Sequence, residues 1–248
     1  MFVKKFSLNE AQESGLTFNQ QPKTNATDQS NVTEPVVQSD SPVSEKAIMF
    51  SDVVGSSAKW SADPETMKVQ LDKHFNIVNE IAKKWNGFVV KTIGDAFMIY
   101  FKESDKTLLN AINCAIEIIN NEDLPLRIGI CSGDMEEKSY VLQDAKLKDY
   151  FGNAVNTASR MESKVAQPGG IAFTYINNIS KTESSAIVNL IDKYKPLATK
   201  YSNDCNSDKE MQGKRSGRLL TDIHLAACKS VQELKGVKEL TSFNFKVK

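Results

Sequence analysis

Asp52 and Asp95 are the residues of this chain best placed to do chemistry together. Asp52 follows the apolar run Ala47-Ile48-Met49-Phe50 and opens Asp52-Val53-Val54-Gly55-Ser56-Ser57. Asp95 stands at the tip of the Gly-containing turn Lys91-Thr92-Ile93-Gly94-Asp95, between the apolar runs Phe88–Val90 and Ala96–Phe101. Runs of this kind read as buried strands, so each acid lies at a strand end. Two carboxylates on neighbouring strand ends are what a site needs to hold divalent cations against a polyphosphate. Taken singly, an Asp beside a Gly more often caps a turn; the pairing is what points to chemistry.

Other groups fit the same purpose. Gly55-Ser56-Ser57 forms a small-residue turn whose backbone N–H groups can grip phosphate. Asn156 and Arg160 are spaced i and i+4 on a helical segment and so project from one face; the plain alternative is a surface Arg160 paired with Glu162. Lys91 precedes the Asp95 turn, where a solvent-exposed strand lysine is the ordinary reading. Lys235 lies in Glu233-Leu234-Lys235-Gly236-Val237, a common approach to a strand.

In this order, Phe50-Ser51-Asp52-Val53, Lys91-Thr92-Ile93-Gly94-Asp95 and Val155-Asn156-Thr157-Ala158-Ser159-Arg160-Met161-Glu162 resemble the catalytic domain of class III nucleotidyl cyclases, the adenylyl and guanylyl cyclase family. The resemblance covers about Glu45 to Val247. It implies an α+β fold, a ferredoxin-like or palm-like antiparallel sheet with helices. It implies that Asp52, Asp95 and the main-chain carbonyl of Val53 bind two divalent cations, Mg²⁺ or Mn²⁺. It implies a substrate-binding role for Gly55, Ser56 and Ser57, with Ser57 where the family has Thr or Ser, and for Lys235 at the triphosphate. By the same resemblance Asn156 orients the ribose and Arg160 stabilises charge developing on the α-phosphate.

Lys91 and Asp149 address the choice of base, and both stand where adenylyl cyclases carry those residue types. A Lys donor meets the N1 acceptor of adenine and an Asp acceptor meets its exocyclic amine. Guanine presents the opposite pattern, and such mismatches discriminate strongly in a buried site. The expectation is an adenylate cyclase converting ATP to cyclic AMP and pyrophosphate. A guanylate or pyrimidine cyclase stays open as an alternative, as does a silent nucleotide-binding regulatory module, although Asp52, Asp95, Asn156, Arg160 and Lys235 are all in place. A diguanylate cyclase would need a second acid and an earlier glycine at Ile93-Gly94-Asp95-Ala96-Phe97, and these are absent. In the family the active site forms between two domains, so a single chain carrying both halves implies a head-to-tail homodimer. Two departures from the family pattern touch dimer geometry: Met135–Lys148 lacks glycines common in the family's dimerisation arm, and the 196–221 segment exceeds the family minimum.

The elements that must position these residues follow from periodicity. Asp63-Pro64-Glu65 reads as an N-cap with Pro at the first helical position. From there Met67, Leu71, Phe75, Val78, Ala82 and Trp85 recur at helical spacing until Asn86-Gly87. His74 sits beside this apolar face and His224 in a helix-like stretch, Thr221–Cys228; neither reads as catalytic. A second helix spans about Ser104 to Asn120, and Leu126–Cys131 is a buried strand. A strand near Tyr140–Leu142 precedes a helix Asn153–Val165; then come a strand Ile171–Tyr175, a helix about Ser180–Tyr194 and a strand about Thr241–Val247.

Within 248 residues, 40% hydrophobic and 25% charged, there is room for one buried domain with additions. Residues 1–44, above all Asn9–Ser44, are rich in Ser, Thr, Asn, Gln and Pro and read as a disordered tail. The domain is expected over 45–248, interrupted by a basic insertion loop at 196–221 (Lys200, Lys209, Lys214, Arg215, Arg218). Thirty-one basic residues balance thirty-one acidic ones, so no bulk charge favours nucleic acid or anionic membrane. No apolar run approaches the roughly 20 residues of a membrane span. Four cysteines without CxxC spacing suit a reducing, cytoplasmic setting.

Overall fold

Alternation in the first strand sorts its side chains to two sides of a sheet. In β1 (Glu45–Val53), Ala47, Met49 and Val53 enter one apolar cluster, while Ile48 and Phe50 enter another. The computed structural model describes residues 45–142, 144–177, 179–196, 228–234 and 237–248. The 1–44 tail, Lys235, the helix-like Thr221–Cys228 stretch apart from Cys228, which is in a strand, and all of the 196–221 insertion but Pro196 lie outside them.

The chain then runs through α1 (Ser56–Ala62), α2 (Pro64–Lys84), β2 (Gly87–Ile93), β3 (Ala96–Ser104), α3 (Thr107–Asn121) and β4 (Leu126–Ser132). A hairpin of β5 (Glu136–Leu142) and β6 (Ala145–Phe151) follows, then α4 (Asn153–Arg160), a π-helical turn (Met161–Val165) and β7 (Gly170–Tyr175). The last elements are α5 (Lys181–Ile191), the two-residue β8 (Lys195–Pro196), β9 (Cys228–Leu234) and β10 (Val237–Lys246). The main sheet has the order β2-β3-β1-β4-β7-β10-β8, with β9 beside β10. Its pairs are antiparallel except for β4 with β7. The result is the expected mixed α+β architecture with a mostly antiparallel sheet.

Helix α2 forms where its signals place it. The Asp63 side chain accepts the Thr66 N–H at 3.1 Å, Pro64 occupies the first turn, and Asn86 takes φ 58° after the last turn. Its apolar stripe and that of α3 cover one sheet face with Met49, Phe97, Phe101, Ile128 and Ile130. On the other face α4 packs Ala154 and Ala158 against Ile48, Met98 and Cys131. Helix and sheet approach closely there: a Cβ on Gly129 would lie 2.0 Å from the Glu162 amide nitrogen. The helix expected over Asn153–Val165 is therefore α-helical only to Arg160, and its last turn, lying against Gly129, is π-helical.

Four elements exceed the sequence expectations, the two-residue strand Lys195–Pro196 beside β10 being one. In addition, Ser56–Ala62 is a helix rather than only a turn, β5 gains a hairpin partner in β6, and β9 pairs with β10. Among the described residues no helix is long and apolar enough to cross a membrane.

Candidate active site

The ends of β1 and β3 bring the two acids together. Ser51 pairs with Phe97 in the β1–β3 register, which, continued, sets Val53 across from Asp95. Between Ile93 and Ala96 the hairpin closes through Gly94 at φ 64°, a tight turn that favours glycine at its first central position. Oδ2 of Asp95 is buried and has no hydrogen-bond partner among the described residues. A buried carboxylate oxygen left this way costs about 1–3 kcal/mol unless something outside the chain satisfies it. Its main-chain carbonyl, by contrast, is held: Nε2 of the fully buried His74 donates to it at 3.2 Å.

Asp52 meets a cation of the protein's own. In the β1–β4 register it lies opposite Arg127, whose Nη2 donates to Asp52 Oδ2 at 2.5 Å. Nε of Arg127 stands 3.3 Å from Glu162 Oε1. Burial, countered by Arg127 and reinforced by Asp52, pushes the Glu162 carboxyl up to about 7. Gly55, at φ 74°, caps α1, so Ser56 and Ser57 begin that helix directly after the strand end that carries Asp52 and Val53.

Among the described residues no group of three or more His, Cys, Asp or Glu converges on a point. Two carboxylates and main-chain oxygens are thus the donors at this end, an all-oxygen set short of a full shell. That set fits Mg²⁺ or Mn²⁺, which take their remaining ligands from water and phosphate. The unsatisfied Asp95 Oδ2 fits the same role.

Lys91 on β2 and Asp149 on β6 are brought into direct contact, Nζ to Oδ2. Tyr140 Oη donates to the same oxygen at 3.2 Å, and the Tyr150 N–H donates to Oδ1 at 2.9 Å. Burial raises the Asp149 carboxyl, but the Lys91 ammonium and these hydrogen bonds outweigh it and hold it below the usual range. A donor and an acceptor therefore stand side by side. A cavity of about 690 Å³, lined in part by Phe88, Tyr100, Lys148 and Tyr150, adjoins the residues flanking Asp149.

Asn156 and Arg160 lie one turn apart on α4, whose buried residues are Ala154, Thr157 and Ala158. Asn156 is exposed and Arg160 half-buried. Neither side chain has a hydrogen-bond or ion-pair partner among the described residues. Glu162, the acid that a surface reading would give to Arg160, is turned to Arg127 instead. Lys235 lies outside the described residues.

Sequence reasoning missed Arg127, Glu162 and His74 as members of this site. A signal for Arg127 existed: a lone arginine inside the buried strand Leu126-Arg127-Ile128-Gly129 needs an anionic partner. His74 offered none, because its partners Glu122 and Asp95 are distant in sequence.

The family model described as "Adenylate and Guanylate cyclase catalytic domain" matches residues 38–214, well over half of the chain. The adenylate cyclase of Podospora anserina is 32% identical over 151 residues, 51% of this chain and 7% of that protein. The receptor-type guanylate cyclase Gyc76C of Drosophila melanogaster is 32% identical over 133 residues, 47% of this chain and 9% of that protein. The chain thus aligns with less than a tenth of the length of these curated relatives. Among solved structures, the adenylyl cyclase CyaB from P. aeruginosa superposes with a TM-score of 0.58 at 18% identity, covering 82% of this chain and 93% of that one. The guanylate cyclase domain of RhGC from Catenaria anguillulae gives 0.54 at 22%, covering 82% and 96%. At these identities the superpositions carry the fold, and the family match carries the kinship: the chain belongs to the adenylate and guanylate cyclase catalytic-domain family, the class III cyclases.

Proposed function

We propose that this chain is an adenylate cyclase that converts ATP to 3′,5′-cyclic AMP and pyrophosphate at a site shared by two copies, the catalytic domain spanning 45–248. The ribose 3′-oxygen forms a bond to the α-phosphorus, the bond from that phosphorus to the bridging oxygen of the β-phosphate breaks, and the hydroxyl proton is released. Two Mg²⁺ or Mn²⁺ ions, held by Asp52, Asp95 and the Val53 carbonyl, supply acidification of the 3′-hydroxyl and neutralisation of phosphate charge when bound. Arg160 offers a planar guanidinium to the charge that grows on the α-phosphate, and Asn156 orients the ribose. Among the described residues both side chains are without partners, as groups reserved for a ligand would be. Gly55, Ser56 and Ser57 at the start of α1, Lys235 and Arg127 serve the polyphosphate, Arg127 by its place against Asp52.

The observation that carries the base choice is the Lys91–Asp149 contact. It presents one donor and one acceptor together, the complement of the adenine N1 and exocyclic amine edge. Guanine would set donor against donor and acceptor against acceptor, leaving polar groups unpaired in a partly buried place. Support for the homodimer comes from the β5–β6 hairpin. It stands apart from the main sheet and exposes Tyr140, Val141, Leu142, Leu147 and Phe151, between 36% and 66% of each. Such apolar exposure suits a surface covered by a second copy.

The test is incubation of the purified full chain with Mn²⁺ and ATP, GTP, CTP or UTP in parallel, products resolved by mass. Cyclic AMP far above the rest is expected. Cyclic GMP, CMP or UMP in its place keeps the mechanism and overturns the base assignment. Nucleotide binding without any product leaves a regulatory binding module.

A further inference from the structure

The Asp95 turn is fastened from behind. His74 lies on the apolar stripe of α2 with Met67, Val78, Ile81 and Ala82, and is 0% exposed. Nδ1 is hydrogen-bonded to Glu122 Oε1 at 2.7 Å, and Nε2 donates to the Asp95 carbonyl at 3.2 Å. Phe75 and Phe97 pack edge-on to the ring at centroid distances of 6.2 and 5.2 Å, so the imidazole has one seat. Glu122 is itself fixed. It closes α3, its N–H donates to the Ile118 carbonyl at 3.0 Å, and its carbonyl accepts Lys248 Nζ at 2.7 Å. A buried His–carboxylate pair is a weak source of stability, because desolvation offsets the attraction. Here it reaches one particular main-chain atom, two bonds from the Cα that carries the unsatisfied Asp95 carboxylate.

We propose that His74, backed by Glu122, is the positioning residue of the Asp95 turn, fixing the main chain that presents the Asp95 carboxylate to a divalent cation. The inference rests on the metal-binding reading of Asp95 above. A tight hairpin tip packed on one side only can rock about its two strands, and a carboxylate displaced with it loses its ligand distance. The tie from α2 removes that freedom without engaging the carboxylate itself.

The test compares His74→Gln with His74→Asn in the full chain. The Gln amide nitrogen lies about as far from the backbone as Nε2 and keeps the donor to the Asp95 carbonyl; that of Asn reaches only as far as Nδ1. Mn²⁺ is titrated with 3′-deoxy-ATP, which lacks the nucleophile, and free Mn²⁺ is read by electron paramagnetic resonance, with thermal unfolding in parallel. His74→Asn is expected to weaken Mn²⁺ binding about tenfold or more, and His74→Gln only about threefold or less. Equal Mn²⁺ affinities in the two variants overturn the proposal, whatever their melting temperatures. Should both fold too poorly to titrate, His74→Leu with Glu122→Met replaces the pair by apolar groups and keeps the core filled. Native affinity in that variant would likewise overturn the proposal, and a weakening of about tenfold supports it. If the native chain binds no Mn²⁺, the metal reading fails, and this inference with it.

Discussion

Replacing Gly129 by Ala should damage stability and catalysis together, because one backbone contact sets both. Gly129 lies in β4 under α4 and its π-helical turn. A Cβ there would stand 2.0 Å from the Glu162 nitrogen, 2.4 Å from the Ala158 carbonyl oxygen and 2.7 Å from Glu162 Cα. To bring the nearest of these to an ordinary 3.4 Å contact, the helix must retreat by about 1.4 Å. Overpacking of this kind costs about 1–3 kcal/mol, and the upper end applies because the opposing atoms are main chain and cannot change rotamer. At about 2–4 °C per kcal/mol for a chain of this size, Tm should fall by roughly 6–12 °C. The displaced helix carries Asn156 and Arg160, and a shift of about 1 Å at catalytic groups costs on the order of 100-fold in rate. Differential scanning calorimetry and cyclic AMP formation by the still-folded fraction measure the two effects. Trimming Glu162 to Ala in the same chain should restore neither, since its clashing atoms are N and Cα. A Gly129→Ala protein with native Tm and native turnover would refute the claim that this contact seats the helix.

Further perturbations separate the roles of the remaining groups. Asp95→Ala should abolish turnover yet leave Tm unchanged or slightly raised, by up to about 1 kcal/mol in stability, because it removes an unsatisfied buried oxygen; a clear loss of stability on denaturant unfolding would show that the carboxylate is structural. Asp52→Ala and Arg160→Ala, each inactive alone, should regain activity on mixing, since one of two heterodimer sites is then whole; continued inactivity after proven subunit exchange would count against a shared site. Glu183, buried at the start of α5, accepts the Leu109 N–H at 3.0 Å, and burial pushes its carboxyl up to about 7 from 4.5. The folded chain thus holds this proton more tightly than the unfolded chain. Stability from it is fully present below about pH 4.5 and is lost as pH rises to about 7, by at most about 3.5 kcal/mol. Glu183→Gln should flatten that part of the stability–pH curve; an unchanged slope between native and variant would refute it.

Much of the fold was legible because its signals are local. Asp63, Pro64 and Asn86 bound α2 as cap chemistry dictates, and Gly94-Asp95 between two apolar runs reads as a hairpin from sequence alone. The elements that escaped lack such signals. Helix α1 buries none of its residues and so shows no apolar stripe. β5 and β6 are exposed along nearly their whole length and gain their definition by pairing with each other. The π-helical turn lies against Gly129, a neighbour 32 or more residues away in sequence. The candidate site divides in the same way. Asp52, Asp95, Asn156 and Arg160 stand in motifs that a sequence displays. The Arg127–Glu162 and His74–Glu122 contacts join strands and helices that only the folded sheet brings together.

These late-emerging contacts share a physical character that explains why local rules fail to find them. Among the described residues Asp95 Oδ2 is buried without a partner, Glu162 is a partly buried ionisable group, and Arg127 divides its guanidinium between two acids. Each is unfavourable or nearly neutral for folding taken alone. They cluster where β1 and the β2–β3 turn end, while the uninterrupted apolar clusters lie along the two faces of the same sheet. Selection for stability alone would replace such groups with apolar ones of similar volume. Groups of this kind at one sheet end suit a site whose charges cations and a polyphosphate would complete. The core holds the strands firmly enough for their ends to carry the unpartnered Asp95 Oδ2, and that oxygen is what a bound cation would satisfy.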